Sequence, residues 1–406
     1  MLIALFRVCR VAAMSSQPSA AVLTILQRLL SFDTTSRESN LALIQWVVDY
    51  LSEYGVTATL THNDDGSKAN LYATIGDPAL PAIILSGHTD VVPVDGQLWQ
   101  YPAFAMSLAD GRVYGRGSAD MKGFIACVLA KVPEWASLAS AQRWQLSIGI
   151  ALSYDEEVGC LGVGRLIADL QARQVPVAGC IIGEPTGMRP VIAHKGIAHY
   201  RCSVQGRAAH SSLTPQGVNA IEYAARLITH IRKLADTEAS FGNRHPLYDV
   251  PFTTLQTGLI SGGNAANIVP KSCDFVFEVR WLPGDHHERF VSSVGDYAGM
   301  LIQEMRQVAP EADISFEQLV NCPPFQSQDG CEIREHVAAL CSCHGGDAVA
   351  YTTEAGRFSE AGIACVVCGP GSIVQAHRPD EYVELSQLAA CEHWLAALQG
   401  RLARIV

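Results

Sequence analysis

The chain has 406 residues, 49% of them apolar and 17% charged, which suits two globular domains with substantial cores and excludes a disordered chain. Its 29 basic and 40 acidic residues give a net charge of −11, which argues against nucleic acid or an anionic membrane as partner.

Met1 to Ala13 is too short in its apolar run for a signal-peptide core, and its arginines follow that run. Being basic and free of acids, the segment is compatible with an organelle transit peptide. The plainer reading is a disordered extension over residues 1–14, with Met14 as an alternative start. Helical periodicity runs from Ala20 to Tyr54, through Val22, Ile25, Leu29 and Leu30, then Leu41, Ile44, Val47 and Leu51. Asn70 to Ile75 and Ala82 to Ser86 read as strands, the second almost wholly apolar and therefore central. A helix over Gly123 to Ala136, a buried strand over Gln145 to Leu152, a helix over Val163 to Ala172 and a strand over Gly179 to Ile182 follow. This alternation predicts an α/β layered sheet whose strand ends carry the site.

After Lys195-Gly196 the pattern changes. A strand (His199 to Val204), a helix (Val218 to Ala235), two strands (Thr253 to Leu259, Ser272 to Trp281), a helix (His287 to Ala309) and a strand (Ile314 to Val320) make a βαββαβ insertion. The expected domains are therefore 1–196, an inserted 197–321, and 322–406. No stretch after the first residues is expected to span a membrane. The 13 cysteines are scattered; Cys365-Val366-Val367-Cys368 has CxxC spacing but no second matching pair, although Cys341 and Cys343 lie upstream. We read it as a buried strand, the thiols as reduced, and the compartment as cytoplasmic.

Chemistry gathers at five places. His88 and Asp90 lie two apart after a buried strand, so both point to one face; this suits a histidine metal ligand oriented by an acid. Asp120 follows Gly115-Arg116-Gly117-Ser118-Ala119 and opens a helix, where a lone Asp would most simply be a cap. No nucleotide-loop spacing is present there. Glu156 and Glu157 end an apolar strand and diverge, so one can ligate while the other stands over a bound water. Glu184 sits at another strand end. His377 lies in a polar Gly/Pro-rich loop. Together they offer five ligand side chains and a spare carboxylate, the needs of a two-metal amide hydrolase. His286-His287-Glu288 is read instead as a polar cap and solvated turn.

The set Ser86-Gly87-His88-Thr89-Asp90, Gly115-Arg116-Gly117 with Asp120-Met121-Lys122-Gly123, Asp155-Glu156-Glu157-Val158-Gly159, Gly183-Glu184-Pro185-Thr186 and His377 resembles the M20 family of co-catalytic zinc metallopeptidases and deacylases. The resemblance runs from Val22 onward in the same order. It implies a zinc-exopeptidase-like catalytic domain with a mixed central sheet flanked by helices. The insertion would be a ferredoxin-like lid that pairs edge strands in a homodimer. Two Zn2+ per subunit are implied, with Co2+ or Mn2+ able to substitute. By the same resemblance Asp120 bridges the metals, His88 and Glu184 complete one, Glu157 and His377 complete the other, and Glu156 is the general base. Asp90 and His210 join the catalytic set, His210 as an oxyanion donor that often acts across a dimer. A cis peptide after Asp120 is implied too.

Within M20, Thr353-Glu354-Ala355 and Gly369 to His377 resemble the acetylornithine deacetylases more than the succinyl-diaminopimelate desuccinylases. Gly356-Arg357-Phe358 resembles the desuccinylase side. The implied substrate is a small N-acyl amino acid, first of all N2-acetylornithine of arginine biosynthesis, with desuccinylation, broader deacylation and dipeptide hydrolysis as alternatives. Arg280 and Arg357 are candidate grips for its α-carboxylate, each equally readable as a surface salt bridge. Asn267 matches a family substrate contact, and Glu354 is expected to answer the δ-ammonium.

Overall fold

A computed structural model describes residues 16–141, 144–341 and 346–402; the expected extension at 1–14 and Cys343 lie outside them. The chain begins with α1 (Ala20–Leu30), α2 (Leu41–Glu53), β1 (Ala58–His62), β2 (Ala69–Ile75), β3 (Ala82–His88), β4 (Ser107–Ala109) and β5 (Arg112–Tyr114). It continues through α3 (Lys122–Ala141), β6 (Ser147–Ser153), α4 (Val163–Ala172), β7 (Val177–Ile182) and β8 (Val191–His194). Next come β9 (Gly196–Gln205), α5 (Ala220–Phe241), β10 (Thr254–Gly262), β11 (Ser272–Trp281), α6 (Glu288–Arg306) and β12 (Asp313–Cys322). The last elements are β13 (Phe325–Gln326), α7 (Glu332–Leu340), β14 (Asp347–Val349), α8 (Ala355–Glu360), β15 (Cys365–Val367), β16 (Tyr382–Glu384) and α9 (Leu385–Leu402).

Two compact units result. The first draws on the described residues of Met1–Leu152, Gly183–Met188 and Cys368–Val406. Its main strands run in the order β1-β2-β6-β3, and β16-β5-β4 form a small separate sheet. Every residue of β3 and β6 is buried, which accounts for their continuous apolar sequences. Helix α3 packs on β2 and β3, with α1 and α9 packed on α3 in turn. In length and apolarity α3 does reach a membrane span, contrary to the sequence reading, yet its Phe124, Ile125, Leu129, Val132 and Trp135 are buried in this packing. It is a core helix.

The helical pattern expected from Ala20 to Tyr54 forms as two helices, α1 and α2. Asp33 accepts both the main-chain N–H (3.0 Å) and the hydroxyl (2.7 Å) of Thr35, a local turn that competes with helix. The hydroxyl of Thr34 donates to the Thr89 carbonyl at 2.6 Å, which ties the interruption to the end of β3.

The second unit comprises Ser153–Ile182 and the described residues of Arg189–Val367. It holds the order β7-β15-β8-β13, with β14 beside β8. Pairing is mixed: β15 runs parallel to β7 and antiparallel to β8, and β14 runs parallel to β8. A second sheet, β10-β11-β9-β12, is wholly antiparallel. Strands β9 and β11 alternate buried with less buried residues, so one face turns Phe275, Phe277 and Val279 onto Leu227 of α5 and Leu301 of α6. The α/β class with mixed sheet and flanking helices is thus what the chain forms, and the βαββαβ order of 196–322 is present.

Two details of sequence fare differently. Cys365 to Val367 is indeed a buried strand, and the eleven cysteines among the described residues are free thiols. His287, expected in a solvated turn, is buried: its ring stacks on Trp281 with centroids 4.1 Å apart and its Nε2 lies 3.2 Å from the Tyr200 hydroxyl. Trp281 at the end of β11 supplies an apolar face that the polar flanks did not advertise.

Candidate metal centre

Strand β3 delivers His88 into the interior at 1% exposure. Its Nδ1 lies 2.9 Å from the Asp90 main-chain carbonyl, nearer than the 3.7 Å to the Asp90 carboxylate. The Asp90 carboxylate also accepts the Ser36 hydroxyl at 2.8 Å. With Nδ1–H donated in that way, Nε2 turns a lone pair inward. There it meets Asp120 Oδ1 at 3.0 Å and Glu184 Oε1 at 3.8 Å.

Glu184 is placed by close packing. The Gly183 N–H donates to the Ser86 carbonyl at 3.0 Å, and a Cβ on Gly183 would run into the Phe124 ring of α3. Only glycine lets this segment lie so near the helix. Ligand atoms of His88, Asp120 and Glu184 all lie within 4.8 Å of one another, and all three residues are buried. One imidazole and two carboxylates, desolvated and converging, are a donor set that fits a divalent ion of the zinc, manganese or cobalt type.

Asp120 has a second neighbour. His377, half-exposed and at φ 63°, holds its Nε2 3.5 Å from Asp120 Oδ2. One carboxylate thus turns an oxygen to each of two histidines. Burial works to raise the Asp120 pKa, but His377 and His88 outweigh it and hold the carboxyl well below the usual carboxylate range. The Asp120–Met121 peptide is cis, as expected.

A residue that sequence reading passed over organises this corner. Glu381, 1% exposed, accepts the N–H groups of Ala119 (2.9 Å) and Asp120 (3.1 Å) on Oε1. Its Oε2 accepts from Gly117 (3.0 Å) and from Arg116 Nη1 (2.7 Å). Burial pushes the Glu381 pKa up and the Arg116 guanidinium opposes that. The signal was present in Gly115-Arg116-Gly117, since a buried arginine demands a carboxylate.

The other expected residues lie in the second unit. Glu156 and Glu157 follow β6 in a turn whose Gly159 and Cys160 N–H groups both donate to the Glu156 carbonyl, at 2.9 and 2.8 Å. The Cys160 thiol donates to Glu156 Oε1 at 3.4 Å. Hydrogen bonding to Cys322 and burial push that thiol well above its ordinary pKa, so it remains a donor. His210 and Asn267 come together: Ser211 N–H donates to the Asn267 carbonyl at 3.0 Å, His210 bridges to Ile268, and its Nδ1 contacts the Ser212 hydroxyl at 2.8 Å. Arg280 spends Nε on Glu278 (3.1 Å) and Nη1 on the Ala350 carbonyl (3.4 Å). Arg357 donates to the Asn321 carbonyl and lies 3.7 Å from Glu360. Glu354 is buried at the start of α8.

Residues 84–399 match the profile of peptidase family M20/M25/M40. The chain belongs to that family. It is 34% identical over 389 residues to the acetylornithine deacetylase of Myxococcus xanthus, which covers 93% of this chain and 96% of the relative. To the acetylornithine deacetylase of Pasteurella multocida (strain Pm70) it is 32% identical over 377 residues, covering 91% and 94%. The crystal structure of the M20 family metallo-carboxypeptidase Sso-CP2 from Sulfolobus solfataricus matches with a TM-score of 0.70 at 17% identity, covering 93% of this chain and 98% of that one; this is a likeness of fold. Family membership makes the protein a metal-dependent hydrolase of amide bonds.

Proposed function

We propose that the protein deacetylates N2-acetyl-L-ornithine to L-ornithine and acetate with the help of two zinc ions. The observation that carries the reading is Asp120, whose two oxygens face His88 at 3.0 Å and His377 at 3.5 Å. A carboxylate so placed is what a bridge between two cations requires. With Asp120, His88 and Glu184 would hold one cation, and Glu157 of the Asp-Glu-Glu motif and His377 would hold the other. When bound, zinc lowers the pKa of a water and polarises the scissile carbonyl.

The chain's own groups do the rest. Glu156 takes the proton of the attacking water and returns a proton to the departing amine. Its loop fixes it through the Cys160 thiol and the hydrogen bonds at its carbonyl. His210 donates to the developing oxyanion. Arg280 and Arg357 orient the α-carboxylate, Asn267 contacts the substrate, and Glu354 answers the δ-ammonium of ornithine. Residues 197–321 act as a lid and as the dimerisation surface of a cytoplasmic homodimer. The names of the Myxococcus and Pasteurella relatives support the choice of acyl group. Desuccinylation is the second reading, favoured only by Gly356-Arg357-Phe358.

A panel of acetylornithine, acetylmethionine and succinyl-diaminopimelate with zinc-loaded protein tests this directly. The highest kcat/KM is expected on acetylornithine. A clear preference for either other compound overturns the substrate while leaving the hydrolase in place.

A further inference from the structure

We propose that Glu381, locked by Arg116, is a positioning residue that sets Asp120 and His377 against each other before any metal arrives. The inference rests on the reading of those two residues as ligands. Glu381 and Asp120 stand 261 positions apart in sequence, and the register of β16 on β5, with Tyr382 opposite Tyr114, brings them together. Three N–H groups, from Gly117, Ala119 and Asp120, then converge on one carboxylate. They fix the peptide planes from which the Asp120 side chain projects.

The same pair reaches His377. Arg116 donates to the Arg378 carbonyl at 3.2 Å and to Gln97 Oε1 at 2.8 Å, and Gln97 Nε2 donates to the His377 carbonyl at 3.2 Å. A continuous run of hydrogen bonds therefore joins the main chain of Asp120 to that of His377. Stability alone gives no reason for it, because well-packed apolar residues often replace a buried ion pair at no loss. An apolar residue could not accept three amides and hold a loop in one geometry. Partners of metal ligands that act at this remove change metal affinity about 10- to 100-fold when removed.

The test strips the purified full-length protein of metal and titrates Co2+, following its visible absorption, alongside kcat and KM on an N-acetyl amino acid. Glu381→Gln is expected to weaken Co2+ binding about 10- to 100-fold. Gln97→Ala, which cuts the half-exposed end of the run by removing both its acceptor for Arg116 and its donor to the His377 carbonyl, should weaken it about five- to tenfold. In the latter variant kcat should fall with KM unchanged, and metal-free melting should match wild type. Wild-type Co2+ affinity in both variants overturns the proposal. If Glu381→Gln does not fold, Gln97→Ala decides alone, with unchanged affinity again overturning it. Failure of the unaltered protein to take up two Co2+ would instead overturn the ligand reading beneath it.

Discussion

Gly183→Ala is the sharpest probe of how Glu184 is placed. A methyl there overlaps the ring of Phe124, itself 1% exposed on α3, so ring or strand must retreat by roughly an ångström or more to restore ordinary carbon contact. Overpacking of this kind costs about 1–3 kcal/mol. The strand cannot move freely, because the Gly183 N–H is held to the Ser86 carbonyl beside His88. Whatever shift occurs therefore passes to the 3.8 Å separation of His88 and Glu184. A displacement near 1 Å is worth about a hundredfold in activity. Urea midpoints and kcat/KM measure the two consequences. Phe124→Leu opens room, so the double variant should recover part of both losses, with a coupling of about 0.5–3 kcal/mol. Simple addition of the two single losses, or a wild-type midpoint for Gly183→Ala, would refute the close-packing account.

Glu156→Gln keeps the shape of the side chain and removes its basicity; kcat should fall about 10²- to 10⁴-fold while metal stays bound, measured by turnover and metal content. Persisting turnover would move the base elsewhere. Glu354→Gln should raise KM for acetylornithine and leave neutral acetyl-amino acids little changed, and equal loss on both would remove its assigned role. His194 predicts an acid limb of stability. Burial lowers its pKa from 6.5 to about 4, so below pH 6.5 the unfolded chain binds a proton that the folded imidazole refuses. Stability is complete above pH 6.5 and falls as pH drops towards 4, by roughly 3 kcal/mol at about 1.4 per pH unit. In His194→Gln, urea midpoints at pH 7.5 and 5.5 should differ less than in wild type; an unchanged difference would sink the assignment.

Much of this was legible because burial writes itself into composition. The apolar runs of β3, β6 and β7 announced central strands, and His88 and Glu184 fell at strand ends where backbone geometry alone aims them. Helix α4 matched its periodicity residue for residue. The parts that escaped depend on distant partners. Nothing local to Glu381 distinguishes it from other loop acids, since the amides it accepts lie 261 to 264 positions upstream. His287 likewise looked polar because its cover, Trp281, comes from the preceding strand. Spacing did place Asp90 beside His88, and the atom of it nearest Nδ1 is the main-chain carbonyl oxygen.

The antiparallel pairing of β9 with β12 runs from Gln205 opposite Asp313 to Ile197 opposite Cys322. The βαββαβ segment therefore leaves and rejoins the chain at adjacent points. Splicing such a piece in or out demands little loop closure of the remainder. Evolution can lengthen, shorten or exchange such a cassette while the strands that flank it in sequence, β8 and β13, keep their antiparallel pairing through Phe325 and His194.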